Sequence, residues 1–250
     1  MRVFGLAGYP LTHSFSPKLF EDIFEREKIS DCAYSLFPCP IVEDIFSLIK
    51  GNKDLCGINI TIPHKKSILP FLDEVDETAK QIGAVNTVTI KREGDHTLLK
   101  GFNSDIIGFE KAIKPFLKTW HSDALIFGTG GASVAASFVL KKLGINWLEV
   151  SRNPVLQNQI NYVDVNVGLL QKYTLLVNAT PVGMFPNTNS YLPISFDGLS
   201  EKHLFFDMVY NPEMTFNMEL AHAQGATVVN GMEMLRLQAE EAWRIFGAES

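Results

Sequence analysis

Along the first hundred residues, short apolar runs alternate with stretches whose apolar residues recur every three or four positions. Arg2–Ala7, Ala33–Phe37 and Gly57–Thr61 read as strands, and Ser16–Lys28 and Ile41–Lys50 between them read as helices. Further helices are expected over Lys65–Leu72 and Asp76–Ile82, then strands over Asn86–Lys91 and Thr97–Phe102. Strand–helix alternation of this kind implies a mainly parallel sheet.

A second α/β series opens near Ala124, with strands at Ala124–Phe127, Trp147–Val150, Thr174–Asn178, Phe205–Asp207 and Ala226–Asn230. Ser104–Leu117 reads as a helix joining the halves, with Ser104 placed to cap it. A last helix, Met232–Phe246, sets Leu235, Ala239, Ala242 and Phe246 on one stripe and can return to pack on the first half. The expected fold class is α/β and two-lobed, with a ligand-binding cleft between the lobes.

Composition narrows the function. The chain has 250 residues, of which 46% are hydrophobic and 20% charged, as in an ordinary globular protein with a sizeable core. A net charge of -6 without any Lys or Arg run argues against a nucleic-acid partner. Cys32, Cys39 and Cys56 form no C-x-x-C and have no His at ligand spacing, so neither a metal site nor a disulfide framework is expected. Their sparse, odd count suits a reducing cytoplasm. The start, MRVFGLAGYP, is broken by Gly and Pro too early for a signal peptide. The uncharged stretch Ala124–Leu140 approaches spanning length, but its glycines and serines make it strand, turn and helix rather than a membrane span.

That stretch holds the first candidate chemistry, Gly128-Thr129-Gly130-Gly131-Ala132-Ser133. Glycines after a strand allow a tight turn and let the backbone approach a pyrophosphate seated on the positive end of the next helix. Ser133 stands where the usual G-x-G-x-x-G has its third glycine, and a plain tight turn would use the same residues. The second strand ends in Glu149-Val150-Ser151-Arg152-Asn153. With Glu149 inside the strand, the tip reads Ser151-Arg152. Arginine there pairs with a 2′-phosphate, where NAD-binding loops place a carboxylate for the ribose hydroxyl; a solvated surface arginine is the plainer reading.

Four fragments of the first half carry the other candidates. In Thr12-His13-Ser14-Phe15-Ser16-Pro17, Ser16 suits a helix N-cap before Pro17, whereas Ser14 has no such duty. Two hydroxyls at a helix amino end would also suit a carboxylate. Asn59-Ile60-Thr61-Ile62-Pro63-His64-Lys65-Lys66 places lysines in the first turn of the expected helix, where the macrodipole disfavours cations, and does not choose between Lys65 and Lys66. His64 reads as structural or solvent-exposed. Gly83-Ala84-Val85-Asn86-Thr87 and Gly101-Phe102-Asn103-Ser104-Asp105 offer neutral hydrogen-bonding groups and one carboxylate, for which complementing the helix dipole is the plain role. Gln238 falls on the apolar stripe of the last helix, where an amide needs partners.

In order along the chain, these fragments resemble the motifs of the shikimate dehydrogenase family. They are Ser-x-Ser, N-[VI]-T-[VI]-P-x-K, G-A-V-N-T, G-x-N-[TS]-D-x-x-G and G-x-G-G-[AS]. N-A-T-P-x-G-M at Asn178–Met184 and D-M-x-Y at Asp207–Tyr210 follow, so the resemblance covers essentially the whole chain. It implies a substrate-binding domain over 1–103, joined by the helix 232–250, and a Rossmann-like, doubly wound NADP-binding domain over 104–231. It further implies that Ser14, Ser16 and Tyr210 hold a shikimate carboxylate, and that Thr61, Lys65, Asn86, Asp105 and Gln238 surround the ring hydroxyls. Lys65 and Asp105 would be the catalytic pair. Gly128, Thr129, Gly130, Gly131, Ala132, Ser151 and Arg152 would bind NADP, with Met208 and Gly231 near the nicotinamide and Glu77 at a cofactor-contacting position. The implied reaction is reversible NADPH-dependent reduction of 3-dehydroshikimate to shikimate, in a monomer or homodimer. One departure is Leu156, apolar where the family often carries a second clamp arginine. An NAD-using quinate/shikimate dehydrogenase and a catalytically silent dinucleotide-binding relative are the alternative readings.

Overall fold

The computed structural model describes residues 1–12, 14–94 and 96–248. The chain divides into two compact units, Met1–Ile107 with Arg236–Ser250, and Gly108–Leu235.

In the first unit, β1 (Arg2–Gly8), α1 (Ser16–Glu27), β2 (Cys32–Pro38), α2 (Val42–Gly51) and β3 (Leu55–Ile60) follow one another as two strand–helix–strand steps. β1 therefore pairs parallel with both β2 and β3. After β4 (Glu74–Val75) and α3 (Glu77–Ile82) come β5 (Thr87–Glu93) and β6 (His96–Phe102), which pair antiparallel. The sheet order is β2-β1-β3-β5-β6-β4, mixed rather than mainly parallel. The expectation fails at β3–β5 and at β5–β6, and at the latter the link is too short to hold a crossover helix. Its core packs Ile45 and Ile49 of α2 against Leu55, Ile58 and Ile60. On the other face Phe4, Phe20 and Phe24 pack with Ala239, Ala242 and Phe246 of α8 (Met232–Ala248). The last helix thus does return to the first unit. Gly57 of β3 makes room for it, since a Cβ there would meet the Phe246 ring at 2.5 Å.

The second unit begins within α4 (Asp105–Ile113), then runs β7 (Asp123–Phe127), α5 (Gly131–Lys142), β8 (Asn146–Ser151) and β9 (Gln159–Asn161). α6 (Val167–Lys172), β10 (Leu175–Asn178), β11 (Leu204–Asp207), α7 (Phe216–Ala223) and β12 (Thr227–Val229) complete it. Every pair in this sheet is parallel. The order β12-β11-β10-β7-β8-β9 places the first and fourth strands of the unit side by side. This is the doubly wound dinucleotide-binding order, and the loops after β7 and β10 flank its switch point. The sheet is buried on both sides by apolar runs such as Leu125 and Phe127, Leu175–Val177 and Leu204–Phe206.

Two local expectations are corrected. No α-helix forms over Lys65–Leu72; the chain makes successive turns and one 3-10 turn at Leu69–Phe71. The cause is tertiary: the Lys65 carbonyl accepts from Val85 N–H at 2.8 Å, and Leu69 N–H goes instead to Lys66 at 3.3 Å. The macrodipole argument for a misplaced lysine therefore falls. Ser16 is also not the cap of α1. It lies inside the helix, and Ser14 Oγ accepts the Ser16 N–H at 3.3 Å.

Candidate active site and dinucleotide loop

In the first unit, Lys65 Nζ lies 2.6 Å from Asp105 Oδ2. Lys65 comes from the turns after β3, pinned through its carbonyl to Val85, and Asp105 opens α4. The side chains are 17% and 7% exposed, so a nearly buried carboxylate faces a cation that still reaches solvent. A charge-assisted hydrogen bond of this length orients both groups. Lys66, which the sequence could not separate from Lys65, is exposed.

Next to Asp105 a line of neutral hydrogen bonds crosses the sheet edge. Asn86 Oδ1 accepts from Ser104 N–H at 2.7 Å and its Nδ2 donates to Ser104 Oγ at 3.0 Å. Ser104 Oγ also lies 3.2 Å from Gln238 Oε1, on α8. Asn59 Nδ2 donates to Thr87 Oγ1 at 3.1 Å and to the Asn86 carbonyl at 3.2 Å, and its Oδ1 accepts from Tyr34 Oη at 2.8 Å. Burial pushes the Tyr34 phenol well above its usual range, with the Ser16 hydroxyl acting against that rise. Tyr34, Asn59, Thr87, Asn86, Ser104 and Gln238 are thereby joined in one hydrogen-bonded line, and Asp105, bonded to Lys65, follows Ser104 in the chain. The sequence pattern gave Tyr34 and Asn59 no role of their own and offered Thr87 and Ser104 only as neutral hydrogen-bonding groups, Ser104 also as a cap. The available signal was the buried-tyrosine rule, that a phenol inside a core finds a partner.

Thr61 is half-buried just after β3, its N–H bonded to the Ala7 carbonyl at 2.9 Å. Glu77 is exposed in the first turn of α3. His64 is buried, with Nε2 2.7 Å from the Cys39 carbonyl, which gives it a structural place. His13 lies outside the described residues.

In the second unit, Gly128 follows β7 at φ +111°, a conformation that requires glycine, and a Cβ there would press on Thr180 Cγ2 at 3.0 Å. Gly130 caps α5 without a side chain, and a Cβ there would meet nothing within 4 Å. The first-turn N–H groups of a twelve-residue helix thus start beside open space, which suits a pyrophosphate. Thr129 and Gly130 are exposed, and Gly131 and Ala132 half-buried. Ser133 is fully buried and satisfies its hydroxyl on the Gly130 carbonyl at 2.8 Å, so serine fits where a third glycine is usual. At the end of β8, Ser151 Oγ accepts Asn153 N–H at 3.2 Å and Arg152 is exposed. Glu149 is buried and bonded to Gln159 at 2.8 Å.

Beyond β10 and β11 lies a network that sequence reading quoted only as motif letters. Asp207 Oδ1 accepts from Asn178 Nδ2 at 2.9 Å and from Val209 N–H at 3.0 Å, and Oδ2 from Thr215 Oγ1 at 2.7 Å. Burial raises Asp207 to about 6, against these three bonds. The network fixes the segment that carries Met208 and Tyr210, both half-buried. Gly231 sits directly on Met208, where a Cβ would come within 2.1 Å of its carbonyl oxygen. Tyr210 belongs to this unit, whereas Ser14 and Ser16 belong to the first. Among the described residues no group of three or more His, Cys, Asp or Glu could hold a metal ion. The three cysteines are free, and no described helix is long and apolar enough to cross a membrane.

The sheet order and glycine loop define a dinucleotide-binding α/β protein, to which the first unit adds a lysine–carboxylate site. The family model for the shikimate dehydrogenase substrate binding domain matches residues 6–88. The shikimate dehydrogenase (NADP(+)) of Methanosphaera stadtmanae is 35% identical over 97% of this chain and 90% of the relative. Among solved structures, the Thermus thermophilus shikimate 5-dehydrogenase in complex with NADP(H) and shikimate is similar at a TM-score of 0.85, with 30% identity over 99% of this chain and 94% of that one. The Corynebacterium glutamicum quinate dehydrogenase in complex with NAD is similar at 0.84, with 25% identity over 99% and 94%. The chain belongs to the shikimate dehydrogenase family.

Proposed function

We propose that the chain catalyses the reversible, NADPH-dependent reduction of 3-dehydroshikimate to shikimate, in the route to chorismate and the aromatic amino acids. The observation that carries this reading is the 2.6 Å Lys65–Asp105 pair, whose carboxylate directly follows Ser104 of the Asn86–Ser104–Gln238 hydrogen-bond line. A polyhydroxylated ring needs neutral donors and acceptors for its hydroxyls and one group that moves a proton at the reacting oxygen. Asn86, Thr61 and Gln238 fill the first role. Lys65 fills the second: its ammonium donates to the oxygen in reduction, and its amine accepts from the hydroxyl in oxidation. Asp105 holds Lys65 in place through the 2.6 Å bond. Ser14 and Ser16, at the amino end of α1, take the carboxylate, and Tyr210 of the other unit is assigned the same ligand group by family resemblance.

The cofactor is held by Gly128–Ala132 at the start of α5 and by Ser151 and Arg152, with Met208 and Gly231 toward the nicotinamide and Glu77 as a further contact. The open space at Gly130 and the bare amino end of α5 are what a pyrophosphate requires. When bound, NADP(H) supplies the hydride chemistry. Residues 1–103 with the last helix then form the substrate domain, and 104–231 the cofactor domain. Three free cysteines fit a reducing cytoplasm.

An NAD-using quinate/shikimate dehydrogenase is the second reading, favoured by Leu156, which is 59% exposed at the place of a second clamp arginine. Catalytic efficiency with shikimate and NADP, measured beside quinate and NAD by reduced-nicotinamide absorbance, tests the two. Higher efficiency with shikimate and NADP is expected; the reverse ranking overturns it.

A further inference from the structure

Two side chains of β9 that the proposed chemistry does not use both reach the loop after β8. In the parallel β8–β9 pair, Glu149 lies beside Gln159 and Ser151 beside Asn161. Residues two apart share a face of a sheet, so all four side chains project from one side. Gln159 Nε2 donates to Glu149 Oε2 at 2.8 Å, while Gln159 Oε1 accepts the N–H groups of Val155 and Leu156 at 2.9 and 3.2 Å. Asn161 Nδ2 donates to the Arg152 carbonyl at 3.0 Å, and Asn161 Oδ1 accepts Val163 N–H at 3.3 Å.

Packing does not hold this loop, because Val155 is 83% exposed and Leu156 59%. Its backbone is tied to the sheet through the two amides. The chemistry of Glu149 adds a second consequence. It is the acid nearest the strand tip in sequence, and a carboxylate there would repel a phosphate. Here it is 7% exposed and engaged by Gln159.

We propose that Gln159 and Asn161 are positioning residues for cofactor choice. Asn161 fixes the backbone that presents Arg152 to the 2′-phosphate, and Gln159 fixes the 155–156 turn while keeping the Glu149 carboxylate engaged within the sheet. This rests on the reading of Arg152 as the phosphate-binding cation.

The test compares kcat/KM for NADP and for NAD in the wild type, Asn161→Ala, Gln159→Met and Arg152→Ala. Asn166→Ala serves as the structural control; its amide caps α6, accepting Leu169 N–H at 3.0 Å. A neutral hydrogen bond is worth roughly a two- to tenfold factor. Asn161→Ala and Gln159→Met are each expected to lower NADP efficiency about three- to tenfold and to change NAD efficiency less than about twofold, again by the weight of one such bond. The control is expected to lower the melting temperature without moving the cofactor ratio. Equal losses for both cofactors in Asn161→Ala and Gln159→Met, or an unchanged ratio in them while Arg152→Ala lowers NADP efficiency, would overturn the proposal. An Arg152→Ala enzyme with unaltered NADP efficiency would instead overturn the reading beneath it.

Discussion

Asp105, which opens α4, and Asp207, which ends β11, are both nearly buried carboxylates, one in each unit. Asp105 faces a cation, Lys65, at 2.6 Å. Asp207 faces, among the described residues, neutral donors from Asn178, Val209 and Thr215, and burial raises it to about 6. The difference separates two jobs that look alike in a sequence. A carboxylate beside a partly exposed lysine can orient a group that gains and loses protons. A carboxylate ringed by backbone and neutral side chains fixes the chain around it, and its own charge is a cost of that arrangement.

The comparison breaks most visibly at Lys65. Lys65→Ala is expected to lower turnover by about 10²- to 10⁴-fold, the weight of a general acid–base group, with NADP binding by calorimetry nearly unchanged. Asp207→Ala is expected to act on stability instead. It strands three buried donors and should cost roughly 3 kcal/mol in denaturant unfolding.

Asp207→Asn sharpens the point through pH. A carboxyl whose folded pKa lies near 6 rather than 3.8 binds its proton more tightly in the folded state. Its contribution to stability is therefore fully present below about 3.8 and is lost as pH rises through about 6. The decline amounts to something on the order of 3 kcal/mol. Asp207→Asn removes it, so the variant's unfolding free energy minus the wild type's should rise as pH goes from about 3.8 to about 6; a constant difference would show that Asp207 is not the group responsible.

Two smaller effects should divide by ligand. Ser14→Ala with Ser16→Ala is expected to raise the Michaelis constant for shikimate by about ten- to a hundredfold, with kcat less affected, because hydroxyls on a non-reacting carboxylate serve ground and transition states alike. Ser14→Ala alone needs a melting control, since Ser14 accepts the Ser16 N–H. Arg152→Ala is expected to raise the Michaelis constant for NADP by about tenfold and to leave that for NAD nearly unchanged, as one exposed, screened arginine allows. Either variant altering both constants equally would blur the division.

Strand–helix alternation and the Gly128–Ser133 loop made the second unit legible, because parallel sheets write themselves as apolar runs separated by helices. Short elements escaped: β9 is three residues, Gln159–Asn161, with polar ends, and α6 spans six. The region 65–72 misled because its spacing suits a helix, whereas a backbone bond from Val85 takes the Lys65 carbonyl. That bond links residues twenty apart, and nothing in the local pattern encodes it. At the site, most candidates came from family motifs rather than from residue chemistry. The Tyr34–Asn59 bond joins two strands through partners 25 positions apart, so only the fold could pair them. Residue chemistry alone did not separate Lys65 from Lys66; the family motif pointed to Lys65, and the fold pairs it with Asp105, forty residues on.

The central claim is that the Lys65 amine moves the proton while Asp105 holds it in place. Its most direct test is chemical rescue of the Lys65→Ala enzyme, with shikimate and NADP saturating and a small primary amine added at increasing concentration. The account predicts a rate that is low without amine, rises with its concentration, and follows the free-base fraction in the oxidation direction. Near-wild-type turnover without any amine would contradict it, and would move the proton to Lys66 or to water.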